Sequence, residues 1–194
     1  MKRKRFTLFA VLVLLAVIFC SITVQAESYT YTNKKKVMEL PIPYEAVATV
    51  SSSAEFISPV DMRVYGEHIY VLDSERKDIT LIDENYNVLN RILFTKDSVV
   101  YETNQLSAFY IFEDKFYVAD YGNNLIVKMD NNLNYIMRFD VPVDASLDPN
   151  ITFKPKRLVI DTADRVYCAA EGINKGLVKY ENDGVFTGFV GAAK

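Results

Sequence analysis

The chain has 194 residues, of which 50% are hydrophobic and 24% are charged, with 13 tyrosines, 12 phenylalanines and no tryptophan. This length is enough for one domain with its own core, and the aromatic-rich composition is typical of a β-rich globular protein and excludes a disordered one. A single histidine and two cysteines leave little material for a metal site or for a nucleophile paired with a base.

Residues 1–26 have the features of an export signal. Lys2 to Arg5 are basic, Phe6 to Ile22 are almost continuously apolar, and Val24-Gln25-Ala26 offers the small residues that a signal peptidase needs. We therefore predict cleavage after Ala26 and a secreted or extracytoplasmic protein. The apolar run is also long enough to cross a bilayer, so an uncleaved N-terminal anchor, the protein's one attachment to a membrane, is the alternative.

The chain that remains after cleavage is acidic. Without the four basic residues of the signal its formal net charge is −7, the wrong sign for a nucleic-acid or anionic-membrane binder. Cys168 is then the one cysteine left, so no internal disulfide can form. We expect Cys168 to be a small buried hydrophobic residue rather than a reactive thiol.

Residues 27–57 are predicted to be an extended leader into the folded part. The leader contains the basic run Lys34-Lys35-Lys36 and two prolines, Pro41 and Pro43. Residues 46–50, Ala-Val-Ala-Thr-Val, have the pattern of one lone strand. Such a strand could complete a blade made by the other end of a closed propeller.

Residues 58–194 contain a repeat of four short strands, in three copies at 58–95, 106–140 and 153–190. Tyr70, Tyr117 and Tyr167 correspond, at spacings of 47 and 50 residues. A period of this length with four alternating strands is typical of a β-propeller blade. The predicted strands are Pro59–Val64, His68–Asp73, Ile79–Asp83 and Val88–Ile92; Leu106–Phe112, Phe116–Asp120, Leu125–Asp130 and Tyr135–Phe139; and Pro155–Asp161, Val166–Ala170, Leu177–Tyr180 and Val185–Val190. The sequence thus predicts an all-β fold of about three blades, each of four antiparallel strands, forming a partial propeller.

The second copy is the best preserved. Its segment Phe116–Asp130, FYVADYGNNLIVKMD, contains two strands joined by a turn in which Gly and Asn tolerate positive φ. Together with the Pro-x-x-aliphatic start that the third copy shows at Pro155–Leu158, this segment resembles the NHL repeat. The first copy keeps Tyr-Val-x-Asp but has Glu75–Asp78 in place of Gly-Asn-Asn, and the third lacks both the Asp and the Asn pair. The resemblance, to secreted bacterial NHL-propeller proteins, implies a binding scaffold and brings no shared catalytic residues.

The number of blades is too small for a closed ring, since even small propellers have about four blades. The first and last blades are therefore expected to expose an apolar flank and a sheet edge. The interpretation that we favour is that the chain is the N-terminal part of a longer protein, because it stops directly after a strand. The alternatives are a homodimer that completes a six-bladed ring and a small open stack of sheets.

Three aspartates at strand ends, Asp73, Asp120 and Asp161, are weak candidates for a calcium site if they converge at one mouth of the propeller. Turn capping is the interpretation that we favour for them. His68 lacks a serine or cysteine at motif spacing, so we predict no catalytic residues. Recurring cations could line a face for acidic sugars or peptides, or simply be solvated: Arg63, Arg91, Lys128, Arg138, Arg157 and Lys179.

The function expected from these features is that of a non-enzymatic extracytoplasmic scaffold that binds a protein, peptide or glycan on a propeller face. We expect no cofactor and no nucleic-acid partner. The alternatives are an enzyme of the lactonase or lyase type, since such chemistry also occurs on propellers, and a truncated fragment. The enzyme would need a metal or an acid–base cluster at the centre of the blades.

Overall fold

The computed structural model describes residues 29–31, 37–39 and 55–191. The export signal 1–26, its cleavage site and the lone strand 46–50 lie outside these residues. Every regular element in the described part of the chain is a β-strand, in agreement with the all-β prediction. Among the same residues no helix is long and apolar enough to cross a membrane.

The chain divides into two compact units, 1–48 and 49–194. In the first unit, β1 (Tyr29–Tyr31) and β2 (Val37–Glu39) pair as an antiparallel hairpin with Thr30 opposite Met38. The leader prediction did not include these two strands. The alternating aromatic and β-branched residues of Tyr29–Tyr31 suit a strand, but three residues are too few for a clear periodic signal.

The second unit contains three four-stranded antiparallel sheets in which the strands follow chain order. Blade one has β3 (Pro59–Tyr65), β4 (His68–Asp73), β5 (Asp78–Ile82) and β6 (Val88–Leu93). Blade two has β9 (Leu106–Phe112), β10 (Lys115–Asp120), β11 (Leu125–Met129) and β12 (Tyr135–Phe139). Blade three has β13 (Lys154–Ile160), β14 (Val166–Glu171), β15 (Leu177–Tyr180) and β16 (Phe186–Val190). The predicted blades of four antiparallel strands are confirmed, and they form a partial β-propeller.

A small hairpin between blades one and two was not predicted. It pairs β7 (Thr95–Lys96) with β8 (Val99–Val100). The two turn residues, Asp97 and Ser98, have φ values of 51° and 64°. Positive φ at both central positions matches the right-handed twist of the strands in a two-residue hairpin. Asp tolerates positive φ better than most residues do.

The core lies between neighbouring blades. Residues of blade one such as Leu72 and Ile79 pack against Phe109, Phe116 and Val118 of blade two. The opposite face of blade two packs against blade three in a second cluster, which contains Ala108, Tyr117, Ile126, Leu158, Cys168 and Val178. Blade two is therefore covered on both faces, whereas blades one and three each have one face that no other described blade covers.

Candidate binding site

The first strands of the three blades, β3, β9 and β13, lie next to one another without pairing as a sheet. Side chains satisfy their free backbone groups. Asp61 Oδ2 accepts the backbone N–H of Phe109 at 3.1 Å, and Ser107 Oγ donates to the carbonyl of Pro155 at 2.7 Å. Arg157 Nη1 donates to the carbonyl of Ser107 at 2.9 Å. These contacts fix the positions of three strand starts and create a surface at their common end.

A cleft of about 540 Å³ lies at this end of the first strands. Tyr121 reaches it from the turn after β10, and the other residues come from the starts of the three first strands. The lining residues are Val60, Gln105, Leu106, Ser107, Tyr121, Lys156 and Arg157. The cleft is therefore built from all three blades and combines an aromatic ring with two cations.

The Tyr121 ring is flanked by two lysines. Lys154 Nζ lies 5.0 Å from the ring centroid and donates to the Tyr121 carbonyl at 3.0 Å, and Lys156 Nζ lies 5.8 Å from the centroid. Glu171 forms an ion pair with Lys156 at 2.5 Å and accepts a longer bond from the Tyr121 hydroxyl at 3.4 Å. In the Lys156–Glu171 ion pair, the hydrogen bond that Lys156 donates lowers the pKa of Glu171 and raises the pKa of Lys156. Glu171 is thus held as a carboxylate that offsets one of the positive charges.

Arg157 is exposed, and within the described part of the chain its guanidinium donates to two backbone carbonyls, those of Ser107 and Lys156, each at 2.9 Å. Among the described residues no acidic group forms an ion pair with it. A planar guanidinium presents several N–H donors in a fork that fits a carboxylate or phosphate. The cleft therefore has an excess of positive charge on a protein whose overall charge is negative.

Asp73 and Asp120 lie at this same end of the blades, but both side chains are fully buried. Asp73 accepts backbone N–H bonds from four residues, Ile57, Ser58, Glu75 and Arg76, at 2.7–3.1 Å. Burial alone would raise the pKa of Asp73, yet these bonds lower it below its ordinary value. The Asp120 carboxylate accepts one hydrogen bond from the backbone N–H of Asn104 and two from Asn123. For Asp120 the effect of burial outweighs these bonds and raises the pKa of the carboxyl.

Asp161 lies at the opposite end of the blades, in the turn from β13 to β14. It accepts bonds from the backbone of Ala163 and Arg165, from Arg165 Nε at 2.7 Å and from the Tyr167 hydroxyl at 3.0 Å. Although burial raises the pKa of Asp161, these donors lower it to about 2. The three aspartates thus do not converge, and the described residues contain no group of three or more side chains able to hold a metal ion.

The turn that contributes Tyr121 depends on Gly122 for a reason other than the predicted one. Asn124 has a φ of 61°, but Gly122 does not have positive φ. A Cβ atom at Gly122 would lie 2.5 Å from both the Asn104 Cγ and the Gln105 backbone nitrogen. Gly122 also donates to the Gln105 carbonyl at 3.1 Å. Glycine is therefore required by the close approach of two backbone segments, which places Tyr121 over the cleft.

The recurring cations of the repeat are distributed over different surfaces rather than one face. Lys128 is buried and forms an ion pair with Asp164 of blade three at 2.6 Å. Lys179 pairs with Glu181 and Arg138 with Asp140, both inside their own blades. Of the recurring cations, Arg157 alone is among the residues that line the cleft. His68 lines a separate depression with acidic residues of blade one: Glu67, Asp83 and Glu84.

Four residues at the cleft were not predicted as site residues from the sequence: Tyr121, Lys154, Lys156 and Glu171. A signal was present in the run Lys154-Pro155-Lys156-Arg157 at the start of the third copy and in the Tyr-Gly pair of the turn. These two segments are more than 30 residues apart in the chain, and only the packing of blade two on blade three joins them.

No family model matches the chain, and no curated protein matches it. Solved structures with a similar fold include a protein described as exported from Bacteroides fragilis, with 11% identity, 74% of this chain and 40% of that chain covered, and a TM-score of 0.53. Hydrazine synthase of Kuenenia stuttgartiensis matches with 13% identity, coverage of 76% and 38%, and a TM-score of 0.50. Virginiamycin B lyase of Staphylococcus aureus matches with 15% identity, coverage of 82% and 46%, and a TM-score of 0.47. At these identities the likeness concerns the fold alone, and the chain spans less than half the length of each of these three proteins.

Proposed function

We propose that this chain is a non-enzymatic, extracytoplasmic scaffold of NHL-like blades that binds a carboxylate-bearing ligand, an acidic peptide or an acidic sugar, in the cleft beside Tyr121. The observation that carries the proposal is the Arg157 guanidinium, which is exposed in the cleft, bonded only to carbonyls and free of an acidic partner among the described residues. The proposed NHL-like identity rests on the Phe116–Asp130 segment and on the repeated Tyr-Val-x-Asp.

The chemistry of the cleft suits binding. A carboxylate can accept two bonds from the guanidinium of Arg157 while a sugar ring or peptide plane packs on Tyr121. Lys154 adds a second positive charge beside the ring, whereas the charge of Lys156 is offset by its ion pair with Glu171. Because all these groups are solvent-accessible, the expected affinity is modest and falls as the salt concentration rises.

The same groups argue against a hydrolase or lyase. A general base needs a pKa near the working pH, but the Lys156 contact lowers the pKa of the cleft's carboxylate, Glu171. Cys168, the one nucleophilic thiol of the described chain, is buried between blades, and burial raises the pKa of its thiol to about 12. The cleft groups can therefore orient and neutralise an anion, which is the property of a binding module.

The test is calorimetric titration of the full chain with a short oligoglutamate peptide and, separately, with an oligogalacturonate. We expect at least one probe to bind and the Arg157→Gln variant to bind it at least about tenfold more weakly, because charge-assisted bonds are lost. The matched control is Arg138→Gln, an exposed arginine of β12 whose partner is Asp140. Equal affinities for the wild type and for Arg157→Gln, or no binding of either probe, would overturn the proposal.

A further inference from the structure

The junction between blades two and three contains a clamp on one acidic residue. Asp164, in the turn before β14, accepts a hydrogen bond from the Tyr117 hydroxyl and forms an ion pair with Lys128 Nζ at 2.6 Å. Tyr117 and Lys128 lie opposite each other on neighbouring strands of blade two. At the junction between blades one and two, Asp114 in the equivalent turn likewise accepts a bond from Tyr65 at 3.2 Å. Blades two and three thus each present an acidic turn residue to the blade before them.

Blade three has the same clamp on its uncovered face. Tyr167 and Lys179 lie opposite each other, as Tyr117 and Lys128 do in blade two. Their present partners belong to their own blade, since Tyr167 donates to Asp161 at 3.0 Å and Lys179 pairs with Glu181 at 2.8 Å. No acidic turn of a following blade reaches this pair among the described residues.

The apolar residues around the clamp repeat as well. In blade two, Ala119, Ile126 and Phe139 surround it and are fully buried by blade three. The equivalent positions of blade three, from the strand register, are Ala169, Leu177 and Val190. Leu177 is 38% exposed and Val159, next to Tyr167 in register, is 54% exposed. The face of blade three that is turned away from blade two thus repeats the pattern of a blade junction. We call it the donor face: Val159, Tyr167, Ala169, Leu177, Lys179 and Val190.

Blade one has the complementary face. Met62 and Val64 point away from blade two and are 61% and 71% exposed. Four residues of this face, Met62, Val64, Ile69 and Val71, occupy the positions that buried residues occupy in blade two: Phe109, Ile111, Phe116 and Val118. A cleft of about 800 Å³ with a mainly apolar lining lies along this face. Glu67, in the turn before β4, is exposed and occupies the position of Asp114 and Asp164. We call this set the acceptor face: the exposed or half-buried Met62, Val64, Glu67 and Ile69, together with Val71 and Ile82, which are already buried at 5% and 3% exposure.

We infer that the donor face of one chain binds the acceptor face of a second copy of the same chain, with Glu67 of the second copy held by Tyr167 and Lys179. Both halves of the contact lie in one chain, their charges are opposite, and their apolar positions are those already used at two junctions of the structure. A head-to-tail contact of this kind generates a ring when the rotation closes. Two copies joined by two such junctions make a ring of six blades, within the usual range for propellers. The contact is independent of the ligand cleft.

Sedimentation equilibrium of the full chain tests the inference by charge reversal. The wild type is expected to form dimers, and Lys179→Glu and Glu67→Lys should each weaken the dimer about a hundredfold, because a buried charge then faces a like charge at both junctions. An equimolar mixture of the two variants should form heterodimers as tightly as the wild type, since each junction then joins one acid and one base. The matched control is Glu102→Lys, an exposed glutamate away from both faces.

The mixture keeps the test valid if a variant is less stable, because a chain that does not fold cannot restore the dimer. Circular dichroism of each variant provides the independent check of folding. A wild type that remains a monomer at every concentration would overturn the inference. So would single variants that dimerise as tightly as the wild type, or a mixture that dimerises no better than its components.

Discussion

The clamp between blades two and three provides the sharpest test of how the described part of the fold is held together. The side chain of Lys128 is only 8% exposed and that of Asp164 is 17% exposed, so their 2.6 Å ion pair is shielded from solvent. The Lys128 ammonium also lies 5.2 Å from the Tyr117 ring. Removing the carboxylate would leave this buried ammonium without its acidic partner, whereas Lys115, which also pairs with Asp164 at 3.7 Å, would keep Glu113 at 3.7 Å.

The perturbation is Asp164→Asn, which preserves the shape of the side chain and the φ of 61°, a value that Asn tolerates. We expect this change to lower the free energy of unfolding by about 3 kcal/mol, the usual cost of leaving one partner of a buried pair alone. The double variant Lys128→Met, Asp164→Asn should regain most of this loss, because no unpaired charge remains. The control is Asp140→Asn, which breaks an exposed ion pair with Arg138 and should cost less than about 1 kcal/mol.

Two assays follow the change: urea unfolding by circular dichroism, and labelling of Cys168 by a thiol reagent without denaturant. Cys168 is fully buried in the same junction, so its labelling reports separation of the two blades. In a Cys20→Ser background it is the sole thiol, and a loss of about 3 kcal/mol should accelerate labelling about a hundredfold if blade separation limits the reaction. An Asp164→Asn variant as stable as the Asp140→Asn control, with unchanged labelling, would refute the reasoning.

Three further predictions concern the end of the blades that carries the cleft. In the urea assay, Gly122→Ala should lower the free energy of unfolding by at least about 2 kcal/mol, because a Cβ 2.5 Å from the Gln105 backbone nitrogen forces two segments apart. The control is Gly66→Ala, where a Cβ meets nothing within 4 Å. This change should cost only the strain of a φ of 61°, about 1–2 kcal/mol. The lowered pKa of Asp73 means that its contribution to stability is present above the ordinary aspartate pKa and is lost as the pH falls through its folded-state pKa, so Asp73→Asn should flatten the acid side of the stability–pH curve. The raised pKa of Asp120 has the opposite effect on stability: the ionised carboxylate lowers stability above its folded-state pKa, and stability rises as the pH falls from there towards the ordinary aspartate pKa. Asp120→Asn should remove this rise, and a curve for the variant that keeps it would contradict the assignment.

The sequence predicts the blades well because each strand carries its own signal. In blade two, alternating aromatic and β-branched residues lie in β9 and β10, and the turns between strands contain Asp and Asn. The register of Tyr70, Tyr117 and Tyr167 against their neighbouring strands shows that the repeat spacing also aligned the copies correctly.

The cleft could not be predicted in the same way because its contacts join distant parts of the chain. Lys154 meets Tyr121 across a separation of 33 residues, and Ser107 meets Pro155 across 48. Such contacts depend on how one sheet packs on the next, which no local pattern records. The grouping of Asp161 with Asp73 and Asp120 illustrates the same limit, since all three lie where a strand ends but only two lie at the same end of the blades.

The central claim is that the chain is a scaffold that binds an acidic ligand at one end of its blades. Hydrogen–deuterium exchange of the full chain with and without the oligoglutamate or oligogalacturonate probe tests it directly. We expect the buried β10 and β11 to exchange most slowly and the probe to slow exchange at residues 121–124 and 154–157. Slower exchange at the opposite end instead, in the turns at 113–114 and 161–165, or exchange that the probe does not change, would show that the ligand does not bind at the cleft.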